Sequence, residues 1–133
     1  MRVSADVVQA LWRRLRDEEK VNQMTFPDGP AEAIDLCAGP GACSVLRADG
    51  NIFEWVLTSL SAPIVFQPSG EHSAMQALAL AARRLPELRA ALPSRTGQAV
   101  DCSKCGGHGF LDLGDVPKFL VCDGCDGLGW RAA

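Results

Sequence analysis

Residues 102–109 read CSKCGGHG, and residues 122–129 read CDGCDGLG. Each stretch begins with a Cys-x-x-Cys pair, and sixteen residues lie between the two pairs. Two such pairs, about 15 to 20 residues apart, provide four thiolates on two tight turns, which is the ligand set of a tetrahedral structural zinc site. We therefore predict that one Zn²⁺ ion is bound by Cys102, Cys105, Cys122 and Cys125.

The two stretches also share glycines, in the pattern Cys-x-x-Cys-x-Gly-x-Gly. Backbone that wraps a metal needs positive φ angles and close approach of its N–H groups to sulfur, which glycine allows without steric cost. We expect the last two glycines of each repeat to provide this freedom: Gly107, Gly109, Gly127 and Gly129. Asp126 occupies the position of Gly106, and aspartate is among the few other residues that tolerate left-handed geometry.

The doubled motif resembles the cysteine-rich zinc domain of the DnaJ-type (J-domain) co-chaperones. In that family four such repeats bind two zinc ions and help to hold non-native polypeptide, so two repeats are enough for one ion. The resemblance covers about a fifth of the chain and implies a zinc ribbon that contacts other proteins. The His-Pro-Asp tripeptide with which the family stimulates an ATP-driven chaperone does not occur in this sequence, so that activity is not implied.

The length and composition suit one compact domain with a small appendage. The chain has 133 residues, of which 47% are hydrophobic and 22% are charged, as is ordinary for a folded soluble protein. The longest apolar stretch, residues 77–82, is far shorter than the roughly 20 residues of a membrane helix. The N-terminus has no apolar signal core. We expect a cytoplasmic protein.

Cys37 and Cys43 are left over from the two pairs. Without an export signal, metal binding is favoured over disulfides for the four paired cysteines. Buried thiols that pack as small hydrophobic groups are the simplest interpretation for the remaining two. A disulfide between them, or a second metal half-site, stays open.

The charges of the last 34 residues disfavour nucleic-acid binding. Three bases, Lys104, Lys118 and Arg131, are outnumbered by five acids: Asp101, Asp112, Asp115, Asp123 and Asp126. A zinc ion held by four thiolates adds about two further negative charges. Phosphate backbones would be repelled, whereas nucleic-acid-binding ribbons usually carry a basic face.

Periodicity predicts an α+β arrangement over residues 1–93, with a small antiparallel β-meander between N-terminal and C-terminal helices. Ser4 is a candidate N-cap of a helix that ends near Lys20, with an apolar stripe formed by Val7, Val8, Leu11, Trp12 and Leu15. The prolines and glycine of residues 22–30 indicate a loop. Residues 34–37 could form a short strand or a helical turn.

The next residues predict the meander and the second helical region. Residues 43–47 and 52–58 flank a turn and should pair as a hairpin, with Phe53, Trp55 and Leu57 on the face packed against helices. A third strand covers residues 64–66. A second helix opens at residues 69–71, with an apolar face formed by Met75, Leu78, Ala82 and Leu85. At Pro86 the helix either kinks or gives way to a new short helix.

A linker at residues 94–100 precedes the predicted zinc ribbon at residues 101–133. Between the cysteine pairs, residues 110–113 and 118–121 flank Gly114-Asp115-Val116-Pro117, a pattern typical of a β-hairpin. The predicted chain is thus an α+β domain of residues 1–93 followed by a C-terminal zinc-ribbon β-hairpin. Apolar side chains of the ribbon, such as Phe110 and Trp130, should pack against the first domain or be offered to a partner.

Catalytic signatures are missing from the sequence. It has no Gly-x-Ser-x-Gly elbow, no His-Glu-x-x-His and no Walker lysine. Of the two histidines, His72 has no evident catalytic partner, and His108 should be an exposed side chain instead of a ligand. Four thiolates close a zinc site, whereas catalytic zinc keeps an open position.

These observations favour a non-enzymatic zinc-binding protein whose ribbon stabilises the fold and binds another protein. Two alternatives remain. One is a nucleic-acid-binding or transcription-associated ribbon that uses Lys104, Lys118 and Arg131. The other is a thiol-disulfide oxidoreductase that uses a Cys-x-x-Cys pair as a dithiol. The protein partner and the oligomeric state are not specified by the sequence.

Overall fold

A computed structural model describes residues 2–36, 44–56, 65–112 and 119–132. The elements follow in chain order: α1 (Ala5–Asp17), β1 (Asn22–Phe26), β2 (Gly29–Asp35), β3 (Ser44–Arg47), β4 (Ile52–Val56), β5 (Val65–Pro68), α2 (Glu71–Ala81), a 3-10 helix (Pro86–Ala91), β6 (Val100–Asp101), β7 (Phe110–Asp112), β8 (Phe119–Val121) and β9 (Trp130–Arg131). The α+β class is confirmed. None of the helices in these ranges combines the length and the apolarity needed to cross a bilayer. Cys37, Cys43 and Leu57 lie outside the described residues.

Helix α1 presents its predicted apolar stripe to the core. Its Val8, Leu11, Trp12 and Leu15 side chains are all buried. The helix ends three residues earlier than the expected Lys20, because Glu19 adopts a left-handed conformation with φ of 57°. The N–H of Lys20 then donates to the carbonyl of Leu15 at 2.9 Å, the closing bond of a Schellman cap.

Strands β1 to β5 form one antiparallel sheet in sequential order. The prediction of a loop over residues 22–30 is wrong, because β1 and β2 pair there from Asn22↔Ala33 to Phe26↔Gly29. Only Pro27 and Asp28 lie between the two strands. The turn residues were therefore recognised correctly, but they connect a tight hairpin in which Gly29 has a φ of 123°.

The predicted hairpin at β3 and β4 and the strand that follows it are confirmed. Strand β3 pairs with β4 through Val45↔Phe53 and Leu46↔Ile52, and β5 continues the sheet antiparallel to β4. Residues 34–35 belong to strand β2, so the strand alternative is the correct one there. The meander thus has five strands, two more than the predicted three.

The face assigned to β4 is wrong. Ile52, and not Phe53, joins the core under the helices, together with Ile34 and Leu46 of the neighbouring strands. Phe53 lies in a second cluster on the other face of the sheet, and Trp55 is 46% exposed. Because side chains alternate along a strand, a shift of one residue in the buried position exchanges the two faces completely.

The second cluster shows that the sheet curls. The ring of Phe26 in β1 lies 4.9 Å from that of Phe53 in β4 and 5.0 Å from that of Phe66 in β5. The guanidinium of Arg47 covers Phe53 at 4.5 Å from its ring centre. Arg47 is 9% exposed and forms ion pairs with carboxylates from two hairpin turns, those of Asp28 and Asp49.

Helix α2 covers the main core with only part of the stripe that its sequence predicts. Leu78 is buried there and Met75 is half-buried, but the helix ends at Ala81, so Ala82 and Leu85 enter the core from the residues that follow it. At Pro86 the chain starts a new 3-10 helix with the proline in its first turn, which is the second of the two predicted alternatives. Leu88 of this short helix is fully buried against α1 and α2.

Candidate metal centre

Each cysteine repeat folds into the same tight turn. In the first repeat the N–H of Gly107 donates to the carbonyl of Cys102 at 3.1 Å, and that of His108 donates to the carbonyl of Cys105 at 3.3 Å. In the second repeat Gly127 and Leu128 make the equivalent bonds, both at 3.1 Å. Equal spacing in the sequence therefore gives two equivalent cysteine turns.

Positive φ angles occur at matching positions of the two turns. Gly106 has a φ of 65° and Asp126 has one of 54°. The expectation that Asp126 can replace a glycine in left-handed geometry is therefore confirmed. The predicted glycines also all have positive φ, between 82° and 87°: Gly107, Gly109, Gly127 and Gly129.

The two turns are joined by reciprocal backbone contacts. The N–H of Cys102 donates to the carbonyl of Gly129, and the N–H of Cys122 donates to the carbonyl of Gly109, both at 3.0 Å. A Cβ atom built on Gly109 would lie 2.4 Å from the carbonyl oxygen of Gly127. Glycine is required there, because the backbone of one turn fills the space that a side chain of the other would need.

This arrangement brings the four predicted ligands together. The sulfur atoms of Cys102, Cys105, Cys122 and Cys125 all lie within 4.8 Å of one another. The Sγ distances are 3.8 Å both for Cys102 to Cys122 and for Cys105 to Cys125. Four sulfur atoms at about 2.3 Å from a tetrahedral zinc ion lie about 3.8 Å apart. The cluster could hold one metal ion.

Backbone donors point at two of the sulfur atoms. Cys105 Sγ accepts from the N–H of Gly109, and Cys125 Sγ accepts from the N–H of Gly129, both at 3.2 Å. Such bonds stabilise a thiolate, as those around metal-bound cysteines do. They come from the final glycine of each repeat, which gives that position a second role besides its conformation.

The pKa values of Cys105 and Cys125 are shifted in opposite directions. Burial opposes ionisation of Cys105, but the N–H groups of Gly109 and Gly107 and the adjacent thiols outweigh it and lower the pKa of Cys105 to about 7. Burial dominates at Cys125 and raises its pKa to about 12. One thiol can ionise readily at neutral pH, whereas four neighbouring thiolates require a cation to balance their charge.

The remaining Cys-x-x-Cys positions are polar and exposed. Lys104 of the first pair forms an ion pair with Asp123 of the second. Hydrogen bonding to this carboxylate raises the pKa of Lys104. His108 is exposed, as its position in the motif predicts. The ion pair of Lys104 with Asp123 therefore links the two cysteine pairs at the surface.

Short strands frame the cysteine turns. Strand β6, which enters the first turn, pairs antiparallel with β9, which leaves the second. Between the turns, β7 and β8 pair from Phe110↔Val121 to Asp112↔Phe119, in the two segments where a hairpin is predicted. The turn predicted at residues 114–117 lies outside the described residues. We call residues 100–112 and 119–131 the cysteine unit.

Sequence reasoning missed the contact between the cysteine unit and α2. Asp126 Oδ2 lies 2.9 Å from His72 Nδ1, and Asp126 Oδ1 accepts a hydrogen bond from Gln76 Nε2 at 3.1 Å. Hydrogen bonding to Asp126 raises the pKa of His72. Two residues beyond the end of the helix, the guanidinium of Arg83 lies 4.8 Å from the ring centre of Phe110. Of the apolar side chains predicted to pack on residues 1–93, Phe110 thus contacts Arg83.

The signal for this contact is a second stripe on α2. His72, Gln76 and Ala79 recur at intervals of four and three residues and so share one side of α2, and Arg83 follows four residues later in the turn after the helix. The polar members of this stripe resemble an ordinary solvated surface. Their contact with the cysteine unit is evident only in the folded structure, where the second cysteine turn holds the Asp126 carboxylate next to the helix.

Comparison with protein-family models, with curated proteins and with solved structures finds no match for this chain.

Proposed function

We propose that this chain is a non-enzymatic zinc-binding protein. In it Cys102, Cys105, Cys122 and Cys125 hold one Zn²⁺ ion in a closed structural site, and the metal-bound cysteine unit forms a zinc ribbon that binds another protein. The observation that carries the proposal is the close grouping of the four sulfur atoms, with two separations of 3.8 Å. This spacing fits tetrahedral Zn–S bonds and is far too long for a disulfide of about 2.05 Å.

The donor set supports zinc over harder cations. Thiolates favour zinc and other soft metals, whereas calcium and magnesium take oxygen ligands. The N–H donors of Gly109 and Gly129 supply the outer hydrogen bonds that such a site needs. Zinc binding would supply folding free energy on the order of 10 kcal/mol to this short unit. Zinc in this site therefore acts as a cross-link between the two turns.

Protein binding is favoured over nucleic-acid binding by the charges around the site. Lys104, one of the three bases available for a basic edge, is engaged by Asp123. A four-thiolate zinc site adds negative charge to this surface. These features, and the resemblance to the zinc domain of the DnaJ-type co-chaperones, support a polypeptide partner in the cytoplasm.

The burial of the thiols favours a structural site over thiol-disulfide exchange. All four cysteines are at most 7% exposed. A redox dithiol must reach the sulfur atoms of its substrate, so reactive cysteines are usually partly exposed. The lowered pKa of Cys105 alone does not supply that access.

A metal and partner assay tests the proposal. Wild-type protein and a C102S/C122S variant are purified without chelators, assayed for zinc and used as bait in a cell lysate. We expect one zinc ion per wild-type chain, none in the variant, and partners captured by the wild type alone. Zinc without any partner dependent on the cysteine unit would contradict the interaction role, and turnover of a disulfide substrate would contradict the structural role.

A further inference from the structure

Helix α2 is covered on two sides. One side contributes Ala74, Leu78 and Ala81 to the main core. The opposite side carries His72, Gln76 and Ala79, which contact the cysteine unit. The helix therefore lies between the core and the candidate metal centre, and it touches both.

The contact depends on the closed conformation of the second cysteine turn. Asp126 directly follows Cys125 and has left-handed backbone geometry, which costs a non-glycine residue free energy. In that conformation its carboxylate contacts both His72 and Gln76. At the next residue, a Cβ atom built on Gly127 would lie 2.8 Å from the Cβ of Ala79, so the backbone of the turn packs directly on the helix.

We propose that metal binding by the four cysteines stabilises helix α2, and that Asp126 transmits the effect through His72 and Gln76. This inference rests on the proposed zinc site. When a cation holds Cys125 together with the other three ligands, the second turn is closed and Asp126 is in place to bind the helix. Without the cation, the left-handed turn loses its main support, and the helix loses its two hydrogen bonds to Asp126.

Through this coupling, the order of the N-terminal part of the chain depends on metal binding. Because α2 also packs into the main core through Leu78, a change in the order of the helix reaches residues that are distant from the cysteines. Thermodynamic linkage is reciprocal. If metal binding favours the ordered helix by a given factor, the contacts of the ordered helix raise the affinity for the metal by the same factor. A typical coupling changes an equilibrium by about 5-fold or more.

Hydrogen exchange on the full-length reduced protein, with and without one equivalent of Zn²⁺, tests this proposal. Three proteins are compared: the wild type, an H72A/Q76A variant that removes both partners of Asp126, and an S73A control in the same helix turn. Zinc should slow amide exchange in residues 74–82 by about 5-fold in the wild type and in S73A. In H72A/Q76A this slowing should be lost. For H72A/Q76A, competition with a chromophoric chelator should show that the affinity for zinc is reduced by a similar factor relative to the wild type.

The outcomes separate this inference from the zinc proposal. If zinc binds the wild type but leaves exchange in α2 unchanged, the coupling is wrong and the zinc site stands. If H72A/Q76A keeps the full slowing, Asp126 is not the route. If no zinc binds, both proposals fall. Should H72A/Q76A not fold, D126G replaces it, because glycine adopts the left-handed geometry without steric cost and removes the carboxylate that contacts His72 and Gln76; undiminished coupling in D126G would likewise overturn the route.

Discussion

The N–H of Cys102 donates a hydrogen bond to the carbonyl of Gly129 at 3.0 Å, so the first residue of one cysteine repeat is fastened to the last residue of the other. Cys122 and Gly109 make the reciprocal bond. The two ligand pairs are thereby joined through the backbone, and their sulfur atoms approach to 3.8 Å in two pairs. Glycine at the end of each repeat leaves room for this close approach of the two backbones.

Substitution of Gly129 by alanine should therefore disrupt the centre. A Cβ atom there would lie 2.5 Å from the carbonyl oxygen of Gly107, on a backbone with a φ of 86°. We expect G129A to weaken zinc binding by at least about 10-fold, since a misplaced ligand turn costs more than 1.4 kcal/mol. Competition titration with a chromophoric chelator measures this loss.

Gly97 provides the matched control. A Cβ atom at Gly97 meets no described atom within 4 Å. G97A should bind zinc with wild-type affinity. Equal affinities of G129A and G97A would contradict the reciprocal packing of the two repeats.

The corrected face of β4 predicts unequal effects of two aromatic truncations. Phe53 is 7% exposed and packs against Phe26, whereas Trp55 is 46% exposed. We expect F53A to lower the free energy of unfolding by about 3 kcal/mol or more. W55A should cost less, because it loses mainly its edge contact with Phe66.

Urea denaturation of both variants measures the difference. F53A should lose more unfolding free energy than W55A. The urea dependence of the unfolding free energy of F53A should stay close to that of the wild type. If W55A loses as much unfolding free energy as F53A or more, Trp55 belongs to the core and the assignment of the two faces is contradicted.

The ion pair between Arg47 and Asp49 predicts a pH dependence of stability. Hydrogen bonding to Arg47 is the largest of the effects that lower the pKa of Asp49 from 3.8 to about 2. Because the folded-state pKa is below the unfolded one, Asp49 contributes stability above about pH 4, and the contribution is lost as the pH falls towards 2. Solvent screening reduces it, since 39% of the Asp49 side chain is exposed.

Comparison with D49N isolates this effect. The difference in urea midpoint between wild type and D49N should be largest above pH 4 and should shrink towards pH 2. D17N, which removes an exposed carboxylate at the end of α1, serves as the control for net charge. A difference that grows as the pH falls would contradict the role of the Arg47 pair.

Local signals were sufficient for much of the fold and for the candidate site. The cysteine spacing and the shared glycines predict which sulfur atoms come together, and they predict the left-handed conformation of Asp126. The stripe of α1 and the turn at residues 48–51 are likewise local patterns. Each of them needs only neighbours within a few residues, so the sequence specifies it directly.

The errors arose where tertiary contacts decide between local alternatives. Pro27 and Gly29 indicate a turn, and their presence favoured a loop over the whole segment. The apolar residues Met24 and Phe26 alternate with polar ones in β1, but this pattern is too short to predict a strand. Both faces of β4 carry apolar residues, so alternation alone could not say whether Ile52 or Phe53 lies under the helices. The contact of Asp126 with α2 joins residues 50 or more positions apart, and no local pattern encodes it.

The most direct test of the central claim is a metal and thiol count on protein purified without added zinc or chelator. The C37S/C43S variant simplifies the count, because only the four clustered thiols remain. We expect one zinc ion per chain and four thiols that react with a disulfide reagent only after a chelator removes the metal. A metal-free protein whose cysteine unit is still ordered, or disulfides among Cys102, Cys105, Cys122 and Cys125, would contradict the account.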